Sequence, residues 1–235
     1  MSERPTLILL PGLLCDAQLW APQVAGLADI ADCRVADMTR DDSIAGMAAR
    51  VLKDAPERFS LAGLSMGGYA AFEVMRQAPG RVERLALLDT SAKPDTPERT
   101  EGRRQLVARA TAGEAEFAAV VEGHLKTFVH PDRLSDDALM ATIRASAMNV
   151  GAEAYARQQG AIIGRADQVP HLGAIPCPTL VLVGREDALT PVAEHELIAG
   201  GIPGAELRII EDCGHLTTLE RPDAVNAALR VWLEG

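Results

Sequence analysis

The sequence predicts an α/β protein: a mostly parallel sheet of about six strands with helices on both faces and an inserted helical cap. Short apolar runs alternate with segments of helical periodicity over most of the 235 residues. These runs are continuously apolar, which is typical of strands that are buried on both faces of a parallel sheet. Parallel strands need helical crossover connections, so the two observations together favour this fold class.

The strands and helices of the sheet region follow in order along the chain. Turn residues, such as Pro11-Gly12 after the first strand and Pro79-Gly80 after a helix, separate them. We predict strands at residues 6–10, 34–37, 59–62, 82–88, 180–183 and 207–210. We predict helices at residues 44–54, 69–78, 192–198 and 224–233.

Residues 94–170 break this alternation. They contain no β-branched strand run and are rich in Ala, Arg, Glu and Gln at helical spacing. Ligands of open α/β sheets bind at the carboxyl ends of the strands, so we expect this insertion to form a cap there. The predicted division is a core of residues 1–93 and 171–235 and a cap of residues 94–170. Within the cap we predict helices at residues 98–112, 114–128, 136–148 and 153–163.

Composition and charge indicate which classes of binding partner to expect. The net charge is -10 and Lys and Arg do not cluster, which argues against nucleic acid and against anionic membrane surfaces, since both require basic patches. We therefore expect a small-molecule substrate, no nucleic acid, no membrane, and a monomer or homodimer. The first residues lack a secretion signal and no apolar run reaches membrane-spanning length, so a cytoplasmic location is expected. The four cysteines lack Cys-x-x-Cys spacing, and no metal site is indicated.

One motif carries most of the chemical information. Gly63-Leu64-Ser65-Met66-Gly67-Gly68 lies where a strand pattern gives way to a helical one. Such a turn can hold a serine nucleophile, because small residues on both sides let strand and helix approach closely. Gly-x-Ser-x-Gly also occurs by chance in ordinary loops. The order Ser65, Asp187, His215 favours the catalytic interpretation.

Three further motifs accompany this turn. They are Leu10-Pro11-Gly12-Leu13-Leu14, Gly184-Arg185-Glu186-Asp187 followed by Pro191, and Gly214-His215 followed by Glu220-Arg221-Pro222. With them, nearly the whole chain resembles the α/β-hydrolase fold superfamily, and specifically its small, capped, carboxylesterase-like members. The resemblance implies a serine hydrolase. Relatives commonly carry His-Gly where this chain has Pro11-Gly12, and the proline lacks the side-chain hydrogen bond that an imidazole there would make.

His215 is the candidate general base. A serine hydroxyl needs an imidazole to take its proton during attack and to return it to the leaving group. His215 lies in the loop after the predicted strand 207–210, level with Ser65. The other four histidines are assigned solvent-exposed or structural roles, although one from the cap could line the pocket. They are His124 and His130 in the cap, His171 in the loop that leaves it, and His195 in a predicted surface helix.

A carboxylate should orient His215 and stabilise its protonated form. We favour Asp187, which follows a strand in the Gly-x-x-Asp pattern. Asp89, at the end of the preceding core strand, is the competitor, because some relatives place the acid there. Glu186 is adjacent to Asp187 but should point elsewhere.

The resemblance also implies an oxyanion hole made by two backbone N–H groups. Met66 follows the nucleophile at a helix N-terminus, and Leu13 follows Pro11-Gly12. Leu14 is the neighbouring alternative to Leu13. Such donors stabilise the negative charge on the attacked carbonyl oxygen by about 3 to 4 kcal/mol each.

The expected reaction is hydrolysis of a small, largely apolar carboxylic ester through an acyl-enzyme, with no metal or organic cofactor. Other activities of the same fold remain open: a carbon–carbon bond hydrolase or lyase, an enol-lactonase, a thioesterase or a cofactor-free haloperoxidase. A non-catalytic ligand receptor is the alternative from another class. Arginines on helices are usually a solvated face, yet one cap arginine could supply a charge that faces the pocket. The candidates are Arg103, Arg104, Arg109, Arg144 and Arg157.

Overall fold

The computed structural model describes residues 4–235, and these form one six-stranded sheet. All strand pairs are parallel, in the order β2-β1-β3-β4-β5-β6. The strands are β1 Thr6–Leu10, β2 Asp32–Val35, β3 Phe59–Leu64, β4 Val82–Leu88, β5 Thr179–Gly184 and β6 Glu206–Ile210. The predicted fold class is confirmed. The prediction that the N-terminus carries no secretion signal rests partly on residues 1–3, which lie outside the described residues.

Position in the sheet determines how deeply each strand is buried. Every residue of β3 and β5 is buried, which explains their continuous apolar sequences. The edge strands β2 and β6 are partly exposed. The prediction for β2 was two residues too late, because Asp37 already belongs to a turn in which its carboxylate accepts the Thr39 N–H.

Helices cover both faces of the sheet and fill the insertion. The sequence did not predict two short ones, Ala21–Gly26 and Thr217–Glu220, which are too brief to show a helical period. The helices are α1 Ala21–Gly26, α2 Ile44–Asp54, α3 Met66–Gln77, α4 Pro97–Ala110, α5 Glu114–Phe128, α6 Asp137–Ile163, α7 Val192–Gly201, α8 Thr217–Glu220 and α9 Pro222–Glu234. None of the helices within residues 4–235 is long and apolar enough to cross a membrane.

Strand order places the crevice of the sheet between β1 and β3. The chain leaves β1 toward β2 on one side and returns to β3 on the other, so the loops after β1 and β3 diverge. Open α/β sheets bind ligands at such a switch point, at the carboxyl ends of the strands. The loops after β1, β3, β5 and β6 carry the four sequence motifs.

Helices α4, α5 and α6 lie between β4 and β5 in the chain and pack against one another. Gly151 interrupts α6 with φ of 77°, a left-handed conformation that suits glycine, so α6 is two helices, as predicted. The carbonyl at the end of α5, that of Phe128, accepts the His215 and Leu216 N–H groups. The insertion therefore contacts the loop after β6 directly. Its boundaries as a separate cap, residues 94–170, stay a prediction.

Candidate active site

Ser65 occupies the sharp turn between β3 and α3. Its φ of 54° and ψ of -114° are rare for a residue with a side chain, at a cost of about 1 to 3 kcal/mol. Backbone bonds hold it there: its N–H donates to Leu88 O at 3.0 Å, and its carbonyl accepts the Thr90 hydroxyl at 2.8 Å. The side chain is half-buried, so the hydroxyl reaches the crevice.

Two glycines allow this turn to form. A Cβ at Gly63 would overlap the Gly67 carbonyl oxygen, and a Cβ at Gly67 would overlap the Leu10 carbonyl oxygen. Helix α3 thus packs directly on the backbone of β1 and β3, as the motif predicted. Its N-terminus, with its partial positive charge, begins immediately after Ser65.

His215 connects the serine to a carboxylate. Its Nε2 lies 2.9 Å from Ser65 Oγ and its Nδ1 lies 2.8 Å from Asp187 Oδ2. An ionised carboxylate can only accept, so Nδ1 carries the ring proton and Nε2 is free to accept the serine proton. The ring is 3% exposed and packs against Phe128, with 6.0 Å between ring centroids.

Asp187 accepts four hydrogen bonds in a buried loop. Oδ1 accepts the N–H groups of Leu189 (2.9 Å) and Thr190 (3.0 Å), while Oδ2 accepts the Thr190 hydroxyl (2.7 Å) and His215 Nδ1. Burial acts to raise the pKa of Asp187, but the charge and hydrogen bond of His215 and the bonds from Thr190 outweigh it and lower that pKa. The carboxylate is therefore held in its ionised form.

Asp89, the competing acid, is fully buried and does not contact His215. Its Oδ1 accepts the Gly184 N–H at 3.1 Å, and its Oδ2 is bonded to the Thr217 hydroxyl at 2.5 Å. Burial, and then the negative charge of Asp187, raises the pKa of Asp89 well above its usual value. Asp89 thus joins the end of β5 to the residues after His215.

Of the two predicted oxyanion donors, Leu13 lines the cavity and Met66 is the first residue of α3, directly after Ser65. Within residues 4–235, the N–H groups of Leu13 and Met66 have no hydrogen-bond partner. The Leu14 N–H, the alternative, donates to Gln158 Oε1 on α6 at 3.1 Å and is therefore occupied. Leu14 has φ of 59°, so this glutamine holds a strained residue beside the candidate donor.

A cavity of about 250 Å³ opens in front of Ser65 and His215. Much of its wall is aliphatic or aromatic, namely Leu13, Leu64, Leu106, Phe128, Ile162 and Leu189. Helix α4 adds Arg99 and Arg103, and α5 adds His124. The insertion therefore supplies both arginines of the wall.

His124 belongs to a chain of hydrogen bonds inside the insertion. An arginine only donates, so the Arg103 bond to Gln159 Oε1 (2.8 Å) forces the Gln159 amide nitrogen toward Tyr155 Oη (2.8 Å). The Tyr155 hydroxyl proton then goes to His124 Nε2 at 2.9 Å. Burial, and then the charge of Arg103, lowers the pKa of His124 to about 4, so this ring is neutral.

Four other side chains can be compared with what the sequence predicts for them. His195 was expected in a surface helix, but it is completely buried, because its face of α7 packs on the sheet. Its Nε2 accepts the Thr90 N–H at 2.8 Å. Glu186 points away, as expected, and accepts the Cys213 N–H. No role was predicted for Gln158 or Thr190 from the sequence. A glutamine among apolar positions of a helix, and a threonine three residues after an aspartate, were the available signals.

In the part of the chain that the structure describes, no group of three or more His, Cys, Asp or Glu side chains is placed to hold a metal ion. All four cysteines are free thiols. Cys15 lines the cavity, but burial, and then the charge of Asp16, raises its pKa to about 12. It is therefore poorly suited to act as a thiolate nucleophile.

The chain is similar to known proteins over nearly its whole length. The chain is 25% identical over 245 residues to a pimeloyl-[acyl-carrier protein] methyl ester esterase of Aromatoleum aromaticum, covering 94% of this chain and 95% of that protein. A thermophilic esterase from Thermogutta terrifontis is 30% identical, with a TM-score of 0.87 over 99% of this chain and 90% of its own. An enol-lactonase from Burkholderia xenovorans is 26% identical, with a TM-score of 0.89 over 100% and 93%.

These relatives confirm the resemblance inferred from the four motifs. They are named esterases and lactonases, which also bears out the expectation of an enzyme that hydrolyses ester bonds. The sequence profile described as the alpha/beta hydrolase family matches residues 7–228. The chain belongs to the alpha/beta hydrolase family.

Proposed function

We propose that this protein hydrolyses a small carboxylic ester through an acyl-enzyme on Ser65, with His215 as general base and acid and Asp187 as the orienting carboxylate. The observation that carries the proposal is the position of the His215 ring, 2.9 Å from Ser65 Oγ and 2.8 Å from Asp187 Oδ2. This geometry matches what nucleophilic catalysis by a hydroxyl requires.

Acylation begins when Ser65 Oγ attacks the ester carbonyl carbon and His215 Nε2 takes the hydroxyl proton. The tetrahedral intermediate collapses when the protonated imidazole returns this proton to the departing alkoxide, which leaves as an alcohol. Asp187 accepts from Nδ1 throughout, so it keeps the ring in the productive tautomer and stabilises its positive charge.

The negative charge on the carbonyl oxygen is stabilised by the N–H groups of Leu13 and Met66, which is the role proposed for them. Both lack a protein acceptor within the described residues, and Met66 adds the favourable dipole of the α3 N-terminus. Gln158 supports Leu13 by holding its neighbour Leu14. Water then attacks the acyl-enzyme with His215 again as base, which releases the acid.

Helices α4 to α6 act as the cap in this proposal. They cover the carboxyl ends of the strands and supply part of the cavity wall, including His124. They also reach the catalytic loop through the Phe128 carbonyl. A cytoplasmic location, a monomeric or homodimeric state and a mechanism without a cofactor remain predictions from the sequence.

A lactone is the second candidate substrate. The likeness to the enol-lactonase structure, at 26% identity and a TM-score of 0.89, favours it, and a 3-oxoadipate enol-lactonase of Acinetobacter baylyi is 26% identical. Opening a cyclic ester uses the same attack and the same proton transfers, but the released alkoxide stays attached to the acyl group.

Steady-state hydrolysis of a chromogenic short-chain ester tests the proposal. Ser65→Ala should lower kcat by about 10⁴ or more, because the variant lacks the hydroxyl that His215 Nε2 contacts. Ser91→Ala is a matched control, since this buried serine bonds Glu194 and does not line the cavity. Unchanged turnover in Ser65→Ala would remove the serine mechanism. Lactones tested in parallel show which ester type is preferred.

A further inference from the structure

Helix α4 presents two guanidinium groups to the cavity that holds Ser65. Arg99 and Arg103 lie four residues apart, hence on the same face of the helix, and both line the cavity. Arg104, the residue after Arg103, points outward and is 65% exposed in its side chain. Arg103 is largely buried, whereas Arg99 is exposed to solvent as well as to the cavity, so both positive charges reach the cavity wall.

Both groups keep N–H donors that have no acceptor among the described residues. Arg99 donates from Nη2 to the Leu189 carbonyl at 3.2 Å, and its Nε and Nη1 have no partner among residues 4–235. Arg103 donates from Nε to Asp95 and from Nη1 to Gln159, which leaves its Nη2 without a described partner. An arginine has five N–H donors in a planar fork that fits a carboxylate.

Around Arg103, the guanidinium groups outnumber the carboxylates. Asp95 is shared between Arg103 and Arg165, so this cluster has one carboxylate for two guanidinium groups. Each of the three guanidinium nitrogens of Arg165 donates a hydrogen bond, to the Lys93 carbonyl, the Ile162 carbonyl and Asp95. No carboxylate is among the described residues that line the cavity.

Neighbouring groups offset only part of this excess. Glu194 lies near enough to Arg99 for their charges to attract, but its hydrogen bonds go to Lys93 and Ser91. The positive charge of Arg103 also contributes, after burial, to lowering the pKa of His124 at the same cavity. The cavity thus has an uncompensated positive side in a protein whose net charge is -10.

We infer that Arg99 and Arg103 form a subsite for an anionic group of the substrate, so that the preferred ester is one that carries a second, free carboxylate. The inference rests on the proposed ester hydrolysis at Ser65. A half-ester of a dicarboxylic acid has this chemistry: its carboxylate binds at α4 while its ester carbonyl lies at Ser65. The apolar wall between them suits the methylene chain.

The test compares methyl half-esters of dicarboxylic acids from succinate to suberate with the dimethyl esters of the same acids. At one chain length or more, the wild-type protein should show a kcat/KM about tenfold or more higher for the half-ester than for each ester group of the diester. Arg99→Gln should reduce this ratio about tenfold. Arg104→Gln, on the same helix but outside the cavity, should leave the ratio at the wild-type value.

Equilibrium binding separates this inference from the proposed mechanism. The Ser65→Ala protein should bind half-esters more tightly than diesters by calorimetry, and adding Arg99→Gln should abolish the difference. Equal kcat/KM for both ester types at every length would overturn the anionic subsite, as would a ratio that Arg99→Gln leaves unchanged. Retained hydrolysis in Ser65→Ala, with half-ester binding still dependent on Arg99, would refute the serine mechanism alone.

Discussion

Exchange of Asp187 for asparagine tests which carboxyl orients His215. The amide oxygen of the new side chain can replace Oδ1 and keep the bonds from the Leu189 and Thr190 N–H groups, at 2.9 and 3.0 Å. The amide nitrogen then takes the place of Oδ2 and donates toward His215 Nδ1. The loop keeps its shape, but the direction of this hydrogen bond is reversed.

Reversal of that bond changes the tautomer of His215. When Nδ1 accepts, the ring proton moves to Nε2, which can no longer take the proton of Ser65 Oγ across 2.9 Å. The stabilisation of the imidazolium by the carboxylate is lost as well. Asp187→Asn should therefore lower kcat by about 10⁴, the loss that follows from a wrong histidine tautomer.

Asp89→Asn is the matched comparison. The Asp89 carboxyl has a raised pKa and contacts the Gly184 N–H and the Thr217 hydroxyl, both of which an amide can satisfy. This exchange should cost less than about tenfold in kcat, because the His215 tautomer is unchanged.

Both variants are assayed with a chromogenic ester near neutral pH, and thermal unfolding verifies that each folds. A larger loss in Asp89→Asn than in Asp187→Asn would refute the assignment. Retention of more than about a tenth of wild-type kcat in Asp187→Asn would contradict the reasoning about the tautomer, because a factor of ten corresponds to only about 1.4 kcal/mol of the barrier.

Three further predictions follow from the packing. Gln158→Leu leaves the Leu14 N–H without its acceptor, so kcat should fall about tenfold or more in steady-state assays; a change in KM alone would contradict this role. Gly67→Ala should lower stability by about 1 to 3 kcal/mol or more in thermal unfolding, whereas Gly80→Ala, with open space around it, should not; equal melting temperatures would refute the close approach. Burial lowers the pKa of His195 to about 4, so as the pH falls from about 6.5 to about 4 the unfolded chain binds this proton first and the free energy of unfolding decreases. In urea titrations, His195→Gln should reduce the slope of the unfolding free energy against pH in this range by about 1.4 kcal/mol per pH unit, and an unchanged slope would contradict the prediction.

The features of the fold and the site that could be predicted are those that a short stretch of sequence marks. The turn at Ser65 was recognisable because its glycines lie where a Cβ would overlap backbone atoms. Strands β3 and β5 were recognisable because burial on both faces leaves a continuous apolar sequence. Gly151 marked the break in α6 because it adopts a positive φ.

The remaining features depend on contacts between distant parts of the chain. The bond between Leu14 and Gln158 joins residues 144 positions apart, so no local pattern indicates it. Whether Arg99 faces solvent or the cavity depends on how α4 is rotated against the sheet. The burial of His195 depends in the same way on the packing of α7. A single sequence predicts such helices but not the faces that they present.

Reaction with a fluorophosphonate, followed by intact-mass and peptide mass spectrometry, tests most directly the claim that Ser65 is an activated nucleophile. An activated Ser65 should give one adduct per chain, located on the peptide that contains Ser65, absent from Ser65→Ala and formed far more slowly in Asp187→Asn. An adduct on another residue, or an active wild-type protein that is not labelled, would contradict it.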